Sequence, residues 1–223
     1  ALVSISGDLA IVGAFGNDDA GGNSGSAYVY ERDGDAWTLA EKFTASDASN
    51  GDLFGQSVSI SGDYAIVTSR HDDDDGHGSG SAYVFYRYPS GDWVEDQKLT
   101  ASDAEACGRF GSSASISGDY AIVGAIYDDG LGSGYGLNGL GSAYIFHLDG
   151  SSWVEHDKVS AYDEKTTDYF AQSVSIDGEY AFVGAERHSY VGLYYDVGTA
   201  YVYVVPGGNV GAAPHARDDA ITV

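Results

Sequence analysis

The chain has 223 residues with 34 acidic and 10 basic side chains, a formal net charge of −24. This charge disfavours nucleic acids and anionic membrane surfaces as partners, because both present negative phosphate groups. A single cysteine excludes an internal disulfide, and no apolar run reaches the ~18 residues of a membrane span, so no membrane insertion is predicted.

One nine-residue stretch recurs four times along the chain. Ser59–Val67 returns with identical letters as Ser115–Val123, and variants of it stand at Ser4–Val12 and Ser175–Val183. Such a period indicates supersecondary units that must stack on one another, because none of them can bury a core alone. We place the repeats at about 1–50, 51–106, 107–166 and 167–205, and interpret 206–223 as a linker and the start of a further module of a longer protein.

Each repeat predicts four short strands. In the second repeat, Gly55–Ser61 alternates polar and apolar residues, as a half-buried strand does, and Gly62-Asp63 predicts a tight hairpin. An acidic, glycine-rich loop separates the second strand from the third. The later strands are Tyr64–Val67, Ser81–Tyr86 and Trp93–Thr100. Four antiparallel strands per repeat predict an all-β fold, a β-propeller of four-stranded blades, which either closes as a small propeller or forms part of a larger one.

Recurrent motifs in this pattern resemble FG-GAP repeats, the blade units of integrin α-subunit propellers and of many microbial and algal surface proteins. The motifs are Phe54-Gly55, Val123-Gly124-Ala125 and Gly141-Ser142-Ala143-Tyr144. The resemblance covers about residues 1–205. It implies an extracellular or cell-surface location, Ca²⁺ as a cofactor, and a role in adhesion or in binding a protein or glycan ligand at the cell surface or in the matrix. Neighbouring modules of the same longer chain are further candidate partners.

The calcium motif of the integrin-type repeat, Asp-x-Asp-x-Asp between the first two strands, has no counterpart here. A two-residue turn such as Gly62-Asp63 cannot supply six or more oxygens to Ca²⁺. The carboxylates that follow the second strands are the remaining candidates, because adjacent acids repel unless a cation lies between them. The candidate metal ligands are Asp18, Asp72, Asp73, Asp74, Asp75, Asp128 and Asp129. The alternative is that these residues form solvated acidic loop tips.

Other recurrent residues are interpreted as structural. Asp47 and Asp103, which precede the next repeat, are expected to cap the connections between blades. Trp37, Trp93 and Trp153 begin the fourth strands and are expected to pack between blades. Aromatic residues in loops that depart from the repeat are the candidates for ligand contacts. They are Tyr135, Tyr190, Tyr194 and Tyr195.

The sequence contains no recognisable catalytic motif, so no catalytic residue is assigned and a non-enzymatic module is expected. Two alternatives remain open. One is a carbohydrate-active enzyme domain with its site on the axial face of the propeller, since paired carboxylates are abundant. The other is a purely structural component of a surface assembly.

Overall fold

The computed structural model describes residues 3–128, 139–161, 168–187 and 198–205. These residues form fifteen strands and no helix, and therefore no helix that could cross a membrane. The strands are β1 Val3–Ser6, β2 Leu9–Ala14, β3 Ser26–Asp33, β4 Ala36–Phe43, β5 Val58–Ser61, β6 Tyr64–Ser69, β7 Ser81–Arg87, β8 Trp93–Leu99, β9 Phe110–Ser117, β10 Tyr120–Ala125, β11 Ser142–Asp149, β12 Ser152–Val159, β13 Phe170–Asp177, β14 Tyr180–Ala185 and β15 Thr199–Val204.

The strands pair antiparallel into four sheets in chain order, which are the blades of the predicted propeller fold. Blade 1 is β1–β4, blade 2 is β5–β8, blade 3 is β9–β12 and blade 4 is β13–β15. Each sheet falls inside one of the four repeat ranges given above, and the proposed linker at 206–223 lies outside the described residues. The all-β blade architecture expected from the repeats is confirmed.

The hairpin between the first two strands of each blade is as short as the sequence predicts. Ser61 pairs with Tyr64, so only Gly62 and Asp63 form the turn. Gly62 has φ of +56°, the glycine-favouring conformation that a type II′ turn needs at its first central position. The tight hairpin predicted at Gly62-Asp63 is confirmed.

The hydrophobic core lies between blades rather than within them. Three clusters of buried side chains are present in the described residues, and each joins two consecutive blades. The phenylalanine that opens each later blade is fully buried in one of them: Phe54, Phe110 and Phe170. A single sheet cannot shield its own apolar face, so each blade depends on its neighbour.

The glycines of the repeat motifs meet at these junctions. A Cβ on Gly25 would lie 2.0 Å from the carbonyl oxygen of Phe54, and a Cβ on Gly13 would lie 2.0 Å from that of Gly55. Both positions belong to blade 1, whereas Phe54 and Gly55 open blade 2. The motifs therefore recur because the backbone of each new blade passes directly against glycines of the previous one.

The innermost strands are joined by serine hydroxyl groups. Ser59 Oγ of blade 2 accepts a hydrogen bond of 3.1 Å from the Ile116 N–H of blade 3. Ser4 Oγ of blade 1 accepts one from Ile60 N–H at 3.2 Å, and Ser115 of blade 3 accepts one from Ile176 of blade 4. The alternating serines of the repeat thus satisfy backbone donors of the following blade.

The blades form an open arc in the described residues. Strands β6 and β10 are buried over five consecutive residues, because both of their faces are covered. Strands β2 and β15 alternate between buried and partly exposed residues, so blades 1 and 4 each have one uncovered face. None of the three core clusters joins blade 4 to blade 1.

The burial of each tryptophan likewise depends on whether a preceding blade covers it. Trp153 is 3% exposed and packs edge-on against Tyr64 of the preceding blade, and Trp93 packs against Phe43 in the same way. Trp37 was expected to pack likewise but is 41% exposed. The reason is its position on the uncovered face of blade 1, where no described blade precedes it.

Candidate functional site

The acidic loop between β6 and β7 is held in shape by its own carboxylates. Asp72 is buried, and its Oδ1 accepts a hydrogen bond of 3.1 Å from the Asp74 N–H. Asp73 Oδ1 accepts one of 2.6 Å from the Gly78 N–H across the loop. Aspartates favour such turns because their side chains bond to nearby backbone donors.

Lys98 on β8 is the centre of a cluster of three carboxylates. Its Nζ lies 2.6 Å from Asp47 Oδ2, 3.0 Å from Asp72 Oδ2 and 2.5 Å from Asp74 Oδ2. The hydroxyl of Tyr83 lies 2.8 Å from Asp47 Oδ1 and 2.7 Å from Asp72 Oδ2, and the ammonium group lies 5.2 Å from the centre of the tyrosine ring. We call these five residues the Lys98 cluster.

The charges of the Lys98 cluster stabilise one another. Burial works against ionisation of Asp47, but hydrogen bonds from Lys98 and Tyr83 outweigh it and lower the pKa of Asp47. Burial also opposes the charge on Lys98, yet hydrogen bonds to the three carboxylates raise the pKa of Lys98 well above its usual value. Burial and the adjacent carboxylates raise the pKa of Tyr83, which stays protonated.

Blade 3 contains an equivalent arrangement, the Lys158 cluster. Lys158 Nζ lies 2.6 Å from Asp103 Oδ2 and 2.7 Å from Asp128 Oδ2. The Tyr144 hydroxyl lies 2.7 Å from Asp103 Oδ1 and 2.8 Å from Asp128 Oδ2. Asp103, like Asp47, belongs to the connection that leads from one blade to the next. Each cluster therefore ties a connection to the loop and the fourth strand of the following blade.

Blade 1 has a weaker version of the same arrangement. Asn17 takes the place of Asp72, and its amide donates a hydrogen bond of 3.2 Å to the Tyr28 hydroxyl. Lys42 pairs with Asp19, and both are substantially exposed to solvent. No aspartate from a preceding blade completes the cluster in the described residues.

The structure places the predicted metal ligands in three kinds of environment. Asp72, Asp74 and Asp128 belong to the lysine clusters. Asp18 and Asp73 brace their own loops through backbone N–H groups, and Asp75 is exposed. Asp129 and all four candidate ligand-binding tyrosines lie outside the described residues, so those assignments stay predictions: Tyr135, Tyr190, Tyr194 and Tyr195.

Sequence reasoning missed Lys98 and Lys158, and it did not place Asp47 or Asp103 beside the loop acids. One feature of the sequence could have indicated these lysines. A lysine stands near the end of every described fourth strand, at Lys42, Lys98 and Lys158, in a chain that has only 10 basic residues.

The Lys98 cluster contains the type of donor atoms that calcium prefers. Carboxylate oxygens of Asp47, Asp72 and Asp74 lie within 4.8 Å of one another, and they are the hard oxygen donors that Ca²⁺ prefers. The ammonium group of Lys98, however, lies among all three carboxylates and already supplies the positive charge. These described residues therefore do not fit a calcium ion while Lys98 keeps its position.

A cleft of about 410 Å³ lies on the axis of the arc and is lined by the inner strands of all four blades. Serine, glutamine and apolar side chains form its walls. The polar lining residues are Gln56, Ser57, Ser112, Ser113, Gln172 and Ser173. No described residue that lines this cleft carries a carboxylate.

Comparison with known protein families identifies the repeat. A family model described as "FG-GAP repeat" matches residues 2–30, 37–85, 93–146 and 153–203, which together make up most of the chain. A search of curated proteins finds no match. The second, third and fourth matched segments each begin at the fourth strand of one blade and end in the third strand of the next.

Proposed function

This chain belongs to the FG-GAP repeat family, and we propose that it is a non-enzymatic binding or adhesion module of an extracellular or cell-surface protein. Its ligand is a protein or glycan of the cell surface or matrix. Ligand contacts are assigned to the loops that depart from the repeat and carry Tyr135, Tyr190, Tyr194 and Tyr195.

The observation that carries this proposal is the use of the recurrent acids. The buried aspartates Asp72 and Asp128 each hold a tyrosine and a lysine in an intramolecular cluster. A catalytic acid or base needs access to substrate and a pKa suited to proton transfer. These carboxylates are instead committed to joining blades, as expected of a scaffold that presents loops.

A carbohydrate-active enzyme is the second candidate, with its site on the axial face. Glycoside hydrolysis generally requires two carboxyl groups that flank the scissile bond. The described walls of the axial cleft offer hydroxyl and amide groups, which can bind a sugar but cannot act as that pair. This favours binding over hydrolysis on that face.

The test is to assay the purified chain on glycan and matrix-protein arrays and to follow hydrolysis of the same glycans. We expect saturable binding that is lost on substitution of Tyr194 and Tyr195 by alanine. Tyr88→Ala is the matched control, because Tyr88 is an exposed tyrosine between β7 and β8 and belongs to neither of these loops in the sequence. Release of reducing sugar from any glycan would contradict a non-enzymatic module.

Calcium is the finer part of the family expectation, and we propose that Lys98 takes the place of a cation in its cluster. Millimolar Ca²⁺ should then raise the melting temperature of the wild-type chain less than that of a variant without Lys98. A Lys98→Met variant, which leaves three carboxylates together without a counter-charge, should be stabilised by Ca²⁺ and destabilised again by a chelator. A chelator-reversible rise in the melting temperature of the wild-type chain would assign calcium to its loops after all.

A further inference from the structure

Arg70 and Arg109 are neighbouring cations that no described acid neutralises, and we call them the arginine pair. Arg70 directly follows β6, and Arg109 directly precedes β9 of the next blade. The lysines of the fourth strands, together with Arg32 and Arg87, all contact carboxylates in a chain with 34 acidic residues. None of the ion pairs among the described residues includes the arginine pair. Guanidinium groups without a counter-charge are the kind of group that an anion binds.

The surroundings of Arg70 contain polar atoms that are buried without a partner. Arg70 is half-buried, and its Nε has no hydrogen-bond partner, nor does Nε2 of the adjacent His71. Burial and the positive charge of Arg109 lower the pKa of Arg70. Burial and the charges of both arginines lower the pKa of His71. Buried polar groups are nearly always paired in folded proteins, so this unpaired donor requires an explanation other than stability.

The repeat does not require arginine at either position. Phe15 and Ile126 occupy the place of Arg70 in blades 1 and 3, directly after the second strand. Tyr169 occupies the place of Arg109 in blade 4, directly before the opening phenylalanine, and their φ angles are +55° and +56°. The same backbone therefore accepts apolar or aromatic side chains at both positions, and the two charges do not serve the scaffold.

Partly exposed tyrosine rings border the arginine pair. Cζ of Arg109 lies 4.8 Å from the centre of the Tyr127 ring, and the rings of Tyr127 and Tyr169 pack edge-on with their centres 5.9 Å apart. Arg187 lies over Tyr169, with its Cζ 4.6 Å from the ring centre. The cation–π contact orients Arg109 but does not neutralise its charge, so its N–H groups can still bind an anion.

The arginine pair stands beside the axial cleft. Phe15, which holds the position of Arg70 in blade 1, lines that cleft, and so does Ser112. The Ser112 hydroxyl donates a hydrogen bond of 2.8 Å to the carbonyl oxygen of Arg109. Both arginines belong to blades 2 and 3, which have a described blade on each side. Cationic groups therefore adjoin a cleft whose described walls offer hydroxyl and amide groups.

We propose that the arginine pair binds the carboxylate of an acidic sugar, with the sugar ring placed toward the tyrosines and the axial cleft. The inference rests on the proposed binding function and names its ligand class. Guanidinium groups match the two oxygens of a carboxylate. A sugar fits better than an acidic peptide, because the serine and glutamine groups of the cleft can bind its hydroxyl groups. The net charge of −24 repels anions at long range, so affinity depends on these local contacts.

The test is isothermal titration calorimetry of the 223-residue chain in buffer without divalent cations. The probes are a trimer of galacturonic acid and its methyl ester, which keeps the hydroxyl groups but lacks the negative charge. The acid should bind about 10- to 100-fold more tightly than the ester. Arg70→Met and Arg109→Met should each reduce the affinity for the acid to about that of the ester. Arg32→Met is the matched control and should bind like the wild type, because it removes one positive charge from an exposed pair with Asp8.

A structural role for Arg70 is tested by the melting temperature without ligand. Arg70→Met should match or exceed the wild type, because it removes a half-buried charge that has no partner. A larger fall for Arg70→Met than for Arg32→Met would show that Arg70 serves the fold and would overturn the proposal.

Three binding results would also overturn it. Equal affinity for the acid and the ester excludes recognition of the carboxylate, and unchanged acid binding by Arg70→Met assigns the carboxylate to other residues. A tri-glutamate peptide that binds as tightly as the acid trimer excludes a sugar as the specific ligand. A neutral ligand on the arrays whose binding survives both arginine substitutions rejects this site and leaves the proposed function standing. Absence of binding to every probe and every array rejects both.

Discussion

Blades 1 and 2 share a sequence pattern but differ in what surrounds them. The letters Val-Ser-Ile-Ser form the first strand of both, yet Val58 and Ile60 are buried while Val3 and Ile5 are exposed. The third-strand tyrosine differs in the same way, since Tyr83 is fully buried in blade 2 and its equivalent in blade 1 is not. Burial is therefore a property of the junction and not of the repeat.

The charges differ between the same two blades. In blade 2 the Lys98 cluster gathers three carboxylates, one of them from the connection that follows blade 1. In blade 1, Lys42 meets Asp19 alone, and Asn17 replaces the buried acid. The stability of this chain therefore resides where two repeats meet, as in other repeat proteins.

The largest expected effect comes from removing an apolar anchor of a junction. Phe110 is fully buried between blades 2 and 3, where its ring packs edge-on against Tyr144. Phe110→Ala should lower the free energy of unfolding by about 3–5 kcal/mol, because it leaves a cavity in the core. Phe182→Ala in blade 4 is the control and should cost about 0.5 kcal/mol, because Phe182 is 49% exposed. Urea unfolding at low protein concentration measures both, and equal losses would contradict a junction-based core.

The second effect is the loss of the Lys98 cluster. Lys98→Met leaves three carboxylates without their counter-charge, and Asp72 among them is buried. Breaking a buried ion pair costs about 3 kcal/mol, and a chain of this size loses roughly 2–4 °C in melting temperature per kcal/mol. Lys42→Met in blade 1 removes an exposed pair and should cost at most about 1 kcal/mol. Calorimetry measures the melting temperatures of both variants. A larger fall for Lys42→Met than for Lys98→Met would contradict this prediction.

The third effect is the pH dependence of the difference in stability between the wild type and Lys98→Met. The pKa of Asp47 is lower in the folded chain than its usual value of 3.8, so its stabilisation is complete above pH 3.8 and disappears as the pH falls through the folded value. The pKa of Lys98 is raised above 10.5, so its contribution is complete below 10.5 and disappears as the pH rises through the folded value. The free energy of unfolding of the wild type should therefore exceed that of Lys98→Met by the largest amount at intermediate pH. Parallel stability curves in acid would contradict the cluster.

The smallest effect concerns the serines of the inner strands. Ser59→Ala removes the acceptor of the Ile116 N–H and should cost about 1 kcal/mol. Ser175→Ala, at the equivalent and exposed position of blade 4, should change the free energy of unfolding by less than about 0.5 kcal/mol. Amide hydrogen exchange at Ile116 should become faster in the first variant only. Unchanged exchange at Ile116 would show that this hydrogen bond is not maintained in solution.

The fold follows from the sequence because its signals are local. Gly62-Asp63 between two apolar runs can form little else than a hairpin, and the recurrence of that pattern determines the blade. The packing of Trp153 was predictable on the same basis. The exposure of Trp37 was not, because it depends on a neighbouring blade rather than on the letters of the repeat.

The candidate site could be predicted only in part. Asp72 and Asp74 are visible as an acidic loop, but Asp47 and Lys98 reach it from a different blade connection and a different strand. Their meeting depends on how two blades pack, which no local pattern specifies. The alternating pattern of β8 makes Lys98 look like an ordinary surface residue. Only the recurrence of a lysine at the equivalent position, Lys42, distinguishes it from other surface residues.

The contact between the Phe54-Gly55 backbone and the glycines of blade 1 has a consequence for how such chains evolve. Every junction is formed by the end of one repeat and the beginning of the next, and the three family segments that span two blades have this phase. An in-register duplication in the gene therefore inserts a blade together with one whole matched junction. Deletion of one repeat removes a blade together with one junction in the same way. The number of blades can change by single genetic events without redesign of any surface.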